Sequence, residues 1–225
     1  MKGNESRLHI LTKSHYLHLF PFERFFSFDP TPFIEIFSYK AGEWLIEEGM
    51  NSNYLFFIHE GKAKIYVTHQ NGKVSLLNLV EPGDLLGEME LLHETYHSKA
   101  VQATTDVIAF ALPFQSCRKL LLEDAKFLKE LAMFISKKAS TVSSKYIHAL
   151  AFPLENRLAE FILQTAHNGM YKEKHVIVAD YLGVSYRHLL YTLAQFTEQG
   201  YLTKNGRTYH IVNEQKLHEL ARTMN

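Results

Sequence analysis

Apolar and polar positions change their rhythm twice along the chain. Residues 1–35 are aromatic and histidine-rich with no sustained period. Pro21, Pro30 and Pro32 interrupt them, which predicts short helical or irregular segments. Residues 36–113 instead carry short apolar or alternating runs punctuated by glycines at 42, 49, 61, 72, 83 and 87. Leu55–His59, Ala63–Val67 and Val74–Val80 read as strands, and a last run over Val107–Leu112 stops at Pro113. Glu60-Gly61 predicts a tight hairpin between the first two runs, and Asn71-Gly72 predicts another. Many short strands with regular turn signals predict an antiparallel sandwich or barrel.

From residue 113 the period is helical. Residues 124–151 contain no Gly or Pro. Leu128, Leu131, Ile135, Val142 and Ala149 recur near the spacing of a coiled-coil seam, with Lys138 and Lys145 interrupting it. A helix of that length reaches roughly 40 Å and needs a partner for its stripe. A second copy of the chain is the simplest one, so these five residues are expected at a dimer seam. One-sided packing on the sandwich is the alternative. Pro153 ends the helix.

Residues 176–199 then show the spacing of two helices crossing at a tight turn. Ala179 is small where the helices would cross, and Gly183 stands four residues later, where the turn needs a left-handed backbone. Val178, Leu182, Val184 and Leu189 flank the turn as apolar anchors. Ser185 is placed to cap the second helix, and Leu189, Leu193 and Phe196 give it one apolar face. Arg187, Tyr191 and Gln195 lie opposite, with Tyr186 and His188 in the first turn. Gly200 closes the helix. Tyr201–Thr203 and Thr208–Ile211 read as a two-stranded wing around Lys204, Asn205, Gly206 and Arg207. This is the pattern of a winged helix-turn-helix, whose second helix enters the major groove of double-stranded DNA. Ser185, Tyr186, Arg187, His188, Tyr191 and Gln195 are therefore candidate DNA contacts. Lys204 and Arg207, on a wing without acidic residues, are the candidate phosphate contacts.

Composition narrows this picture. The 225 residues are 46% hydrophobic and 21% charged, values of an ordinary globular protein of one or two domains. Lys and Arg number 24 against 24 Asp and Glu, so any affinity for DNA must come from a local patch. The single cysteine, Cys117, excludes a disulfide within one chain and an all-cysteine iron–sulfur or zinc site. It is expected to pack in a short helix after the sandwich. His9, His15 and His18 cluster without the spacing of a metal motif. No cofactor is expected beyond an unidentified small-molecule effector. With no apolar signal core or membrane-spanning run, the expectation is a cytoplasmic protein without a membrane partner. No nucleophile–base pair or phosphate-binding loop suggests an enzyme.

The order of a glycine-punctuated β-roll, a long helix and a winged helix-turn-helix resembles the cyclic-AMP-receptor/FNR superfamily of bacterial transcription regulators. Pro82-Gly83-Asp84-Leu85-Leu86-Gly87-Glu88-Met89-Glu90-Leu91-Leu92 is similar to that family's phosphate-binding cassette, and Leu150-Ala151-Phe152 to its hinge. The resemblance implies an α+β fold: a jelly-roll sensor domain (1–123), a dimerisation helix and hinge (124–152) and a winged helix-turn-helix domain (153–225). It implies a homodimer on a near-palindromic site, with RNA polymerase as a further partner. It also directs attention to Gly87, Glu88, His97, Ser98, Lys99, Ser143 and Ser144 as the ligand side. Cyclic-nucleotide binders follow Gly-Glu with a phosphate-pairing arginine, whereas Thr95–Ala100 contains none. The effector expected from the resemblance is therefore not classical cyclic AMP. The alternative function is a ligand-binding or interaction module of the same fold without specific DNA binding.

Overall fold

The structure is a computed structural model that describes residues 9–10, 16–19, 21–50, 52–93 and 98–222. His15 and His97 lie outside the described residues. The chain forms two compact units: one ends at Lys138, and the other begins at Ala139 and takes in Val74–Leu76.

The first unit contains, in chain order, β1 (His9–Ile10), α1 (Phe22–Phe25), β2 (Glu35–Tyr39), β3 (Trp44–Ile46), β4 (Tyr54–Glu60), β5 (Ala63–Thr68), β6 (Val74–Val80), β7 (Leu85–Leu86), α2 (Glu88–Leu92), β8 (Ala100–Ala103), β9 (Val107–Pro113) and α3 (Phe114–Glu123). The helix α4 (Ala125–Ala151) follows and runs through the boundary at Lys138. The strands form a five-stranded sheet in the order β1-β2-β9-β4-β7 and a four-stranded sheet in the order β3-β8-β5-β6. This is the antiparallel roll that the turn spacing predicts.

One predicted turn has a different role. Gly61 does not close a hairpin, because β4 pairs with β9 and β7 in one sheet and β5 pairs with β8 in the other. The chain crosses between sheets at Gly61-Lys62 and again, antiparallel to the first crossing, at Thr104–Asp106. Lys62 binds the corner from both sides: its N–H donates to Thr105 Oγ1 at 2.8 Å, and its carbonyl accepts from Thr104 N at 2.8 Å. A Cβ on Gly61 would stand 2.0 Å from the Asp106 carbonyl oxygen, so the crossing requires glycine. A tight glycine turn signals a reversal of direction equally well in both cases, which is why the pattern alone misassigns it. Asn71-Gly72 does turn β5 toward β6, with Gly72 N donating to His69 O at 2.8 Å.

Both faces of the five-stranded sheet are covered. On β4, Phe56 and Ile58 point between the sheets, while Leu55 and Phe57 face the helices; β9 divides in the same way into Ala109 and Ala111 against Phe110 and Leu112. Two-sided burial explains why these runs read as continuously apolar rather than alternating. Phe26, Phe57 and Phe110 meet Cys117, Leu121, Phe127 and Leu131 in the outer cluster, and Phe26 stacks on Phe127 with ring centroids 5.5 Å apart. Cys117 is fully buried there, and burial pushes its thiol up to about 11, so the reactive thiolate is disfavoured.

The second unit contains α5 (Leu154–Thr165), β10 (Met170–Tyr171), α6 (His175–Leu182), α7 (Tyr186–Glu198), β11 (Leu202–Asn205), β12 (Thr208–Ile211) and α8 (Glu214–Arg222). Its core comprises Leu158, Phe161, Ile162, Tyr171, Val178, Leu189, Leu193, Phe196, Leu202, Tyr209 and Leu217. The wing is a three-stranded sheet in the order β10-β12-β11, one strand more than the pattern predicts. Its loop is also shorter than predicted, because Lys204 and Asn205 pair with Tyr209 and Thr208 and leave Gly206-Arg207 at the tip.

Candidate nucleic-acid interface

The turn between α6 and α7 is built as its residue types require. Gly183 ends α6 in the left-handed region (φ 67°, ψ 36°), and Val184 N donates to Ala179 O at 2.9 Å. Ala179 is 4% exposed where α6 meets its neighbours, so a larger side chain there would force the helices apart. Ser185 then takes an extended backbone, and its Oγ accepts from His188 N at 3.2 Å, satisfying one of the free donors that open α7. Leu189, Thr192, Leu193 and Phe196 face inward. Thr192 avoids an unpaired buried hydroxyl by donating to His188 O at 3.1 Å.

The outward face of α7 carries the residues singled out from the sequence. Tyr186, Arg187, His188 and Tyr191 are exposed, and Gln195 is partly exposed. Gln195 Nε2 donates to the Tyr191 hydroxyl at 3.3 Å, which links neighbouring turns of the helix. On the wing, Lys204 and Arg207 are both exposed, and the Lys204 ammonium lies 6.0 Å from the centre of the Tyr209 ring. The arrangement offers hydrogen-bonding side chains on one helix face and two cations on the wing of the same compact unit. That set suits a polyanion with readable edges.

Two residues missed in the sequence support this surface. Arg157 on α5 donates to the carbonyl oxygens of Leu182 and Phe152, so it caps the end of α6. His175 opens α6 with its Nε2 buried and unpaired; its ring lies 5.9 Å from Tyr209 and 6.5 Å from Tyr186. Burial, and then the charge of Lys204, hold its pKa below the ordinary value. Neither residue belongs to a recognisable motif; each acts through a tertiary contact.

The cassette lies in the first unit. β7 pairs with β4, and Gly87 then takes φ 88° directly against the Tyr54 carbonyl, where a Cβ would approach to 2.2 Å. Glu88 is 4% exposed and pairs with Lys138 Nζ at 2.5 Å. Glu90 is 8% exposed and accepts from Ser98 Oγ at 2.5 Å. Arg118 caps α2 by donating to the carbonyls of Glu90 and Leu91 at 2.8 and 2.7 Å. The expected ligand group is only partly assembled. Gly87, Glu88 and Ser98 build or border the cassette, and Lys99 follows Ser98 half-buried, just before β8. Ser143 and Ser144 belong to the second unit, and the Ser143 hydroxyl donates to Ala139 O of its own helix at 3.2 Å.

The expected seam also divides. Leu131 is 2% exposed in the outer cluster of the roll, with Leu128 and Ile135 packed against it, so Leu131 has no surface to give another chain. Farther along the same helix face, Val142, Tyr146 and Leu150 are 60%, 69% and 74% exposed, and Ala149 is exposed with them. Among the described residues, no helix is long and apolar enough to cross a membrane, and no cluster of three or more His, Cys, Asp or Glu could hold a metal ion.

Comparison with known proteins agrees with this architecture. Residues 36–124 match the family model of the cyclic nucleotide-binding domain. The chain is 40% identical over 189 residues to the regulatory protein YeiL of Escherichia coli O157:H7, covering 84% of this chain and 86% of the relative. It is 21% identical to the CRP-like cAMP-activated global transcriptional regulator of Mycobacterium tuberculosis, covering 82% of this chain and 87% of that protein. Among solved structures, a transcriptional regulator of the CRP/FNR family from Thermus thermophilus, TTHA1359, superposes with a TM-score of 0.67. The match is 22% identical in sequence and covers 85% of this chain and 100% of that one, a likeness of fold.

Proposed function

The chain belongs to the CRP/FNR superfamily of bacterial transcription regulators, and from that premise we propose that it binds a near-palindromic DNA site as a homodimer and engages RNA polymerase there. The carrying observation is the exposed Arg187–Tyr191–Gln195 face of α7, with Lys204 and Arg207 exposed on the wing of the same unit. Residues 153–225 form the DNA-reading domain, and Arg187 is its main base-reading group. Tyr186, His188 and Tyr191 add hydrogen bonds to phosphate or apolar contacts to thymine methyls, while Lys204 and Arg207 neutralise phosphates. The exposed second half of the α4 stripe supplies the dimer seam, and dimer symmetry sets the half-sites about one helical turn apart.

The M. tuberculosis relative is cAMP-activated by name. This chain's β-roll is not set for classical cyclic AMP, because Thr95–Ala100 lacks the arginine that would pair with a cyclic phosphate and Glu88 already holds a lysine.

Selection of duplexes from a randomised pool tests the reading. Wild type is expected to enrich a near-palindrome. Arg187→Ala should cost about 1–3 kcal/mol and relax the preference at one base pair per half-site, whereas Lys204→Ala should weaken all sequences alike. If both variants bind like wild type at every salt concentration, the reading surface is misplaced.

A further inference from the structure

Every polar group of the cassette helix α2 described above is met by a group from another element of the first unit. Ser98, just before β8, holds the Glu90 carboxylate; Arg118 of α3 holds the carbonyls of Glu90 and Leu91; and Lys138 of α4 holds Glu88. Lys138 is well placed for this. Its ammonium lies 2.5 Å from Glu88 Oε1 and 5.5 Å from the centre of the Phe134 ring, one turn back on its own helix. Asp84 also lies within reach of its charge: burial holds the Asp84 carboxyl above the ordinary carboxylate range, against the Glu81 N–H hydrogen bond and the charges of Lys138 and Lys137. Asp84, Glu88 and Glu90 thus place three carboxyls around the cassette, and the Lys138 ammonium forms an ion pair with one of them. A phosphate entering there would face repulsion from the acids and would have to take Lys138 away from Glu88. Glu88 is almost fully buried, so it cannot lose that partner cheaply.

We propose that Lys138 is the built-in ligand of the cassette: its ammonium occupies the Glu88 site in place of a diffusible anionic effector and ties the cassette to α4, so that the regulator binds DNA without a cyclic nucleotide. This rests on the DNA-binding reading above and specifies how that reading is regulated. Lys138 is the last residue of the first unit, so the tie acts at the point where α4 leaves the roll. The sensor then works as a fixed brace, and DNA occupancy follows the amount of protein. The tie links residues 50 positions apart, which is why the cassette sequence alone does not disclose it.

The test uses the full-length protein, freed of nucleotides by dialysis, and the duplex that wild type selects. The variants are Lys138→Met, Glu88→Gln and the two combined; the double variant leaves no unpaired buried charge, so it keeps its fold where a single variant could lose it. Wild type is expected to bind without additive, and millimolar cyclic AMP, the probe, should change its affinity by less than about twofold. The double variant should bind about tenfold more weakly, with no more loss than either single variant, because all three break one interaction. Cyclic AMP that tightens wild-type binding about tenfold, or a double variant that binds like wild type, overturns the proposal. If wild type selects no duplex at all, the DNA-binding reading fails instead. The tie is then read by amide hydrogen exchange in α4 of wild type and the double variant: loss of protection around Lys138 supports it, and unchanged protection overturns it.

Discussion

His175 shows how a single side chain can matter without touching a ligand. Its ring lies against Tyr209 of the wing and Tyr186 of the reading helix, with Nε2 buried and unpaired. Burial, followed by the Lys204 charge, lowers its pKa from 6.5, so the folded protein takes up this proton less readily than the unfolded chain. The stability that this neutral ring contributes is therefore complete above pH 6.5 and declines as pH falls from there toward the folded value. Denaturant titrations at pH 8 and pH 5.5 should show a smaller acid loss in His175→Gln than in wild type; an equal loss in both would remove His175 from the account. Local spacing was enough to place Ser185 as the cap of α7 and to put Arg187 and Lys204 on exposed surfaces. It did not disclose the contacts of His175 and Arg157 or the pairing of Lys138 with Glu88, because these partners are distant in sequence.

At the scale of elements, α4 carries one apolar stripe with two fates. Leu128, Leu131 and Ile135 cover the roll, while Val142, Tyr146, Ala149 and Leu150 remain exposed on the same helix. The two halves should respond differently to substitution. Leu131→Ala leaves a cavity in the outer cluster and should cost about 2–5 kcal/mol of stability with little change in self-association. Val142→Glu with Leu150→Glu should leave the melt of the roll intact and shift sedimentation from dimer to monomer. The reverse pattern would place the seam elsewhere. The stripe was legible from its period, but its division was not, because period reports that a face is covered and not what covers it. Gly61 poses the same difficulty for strands: the residue that reverses a hairpin also turns the chain from one sheet to the other, and only the pairing of β4 with β9 and of β5 with β8 separates the cases.

For the whole molecule, balanced charge is the governing fact. With 24 cationic and 24 anionic side chains, the chain as a whole exerts no net pull on a polyanion, so binding must depend on a few local contacts. A plot of log affinity against log salt concentration should lose about one unit of slope in Lys204→Ala. Lys119→Ala removes another exposed charge, from α3 in the first unit, and should leave the slope unchanged. Equal slopes in all three proteins would show that the wing contacts no phosphate.

The strand order of the roll also has a consequence in time. β9 lies at the centre of the five-stranded sheet, with β2 on one side and β4 on the other, yet it is the last strand of the roll to be synthesised. A growing chain therefore holds all the earlier strands of the larger sheet but cannot close it until Val107–Pro113 has left the ribosome. Their apolar faces stay uncovered meanwhile, and the halves of the sheet join by closing a long loop rather than by zipping from a neighbour. The winged unit is made of elements close in sequence and faces no such wait. Although translated after the roll, it can complete its fold soon after it emerges, while the roll keeps apolar surface uncovered for longer during its synthesis.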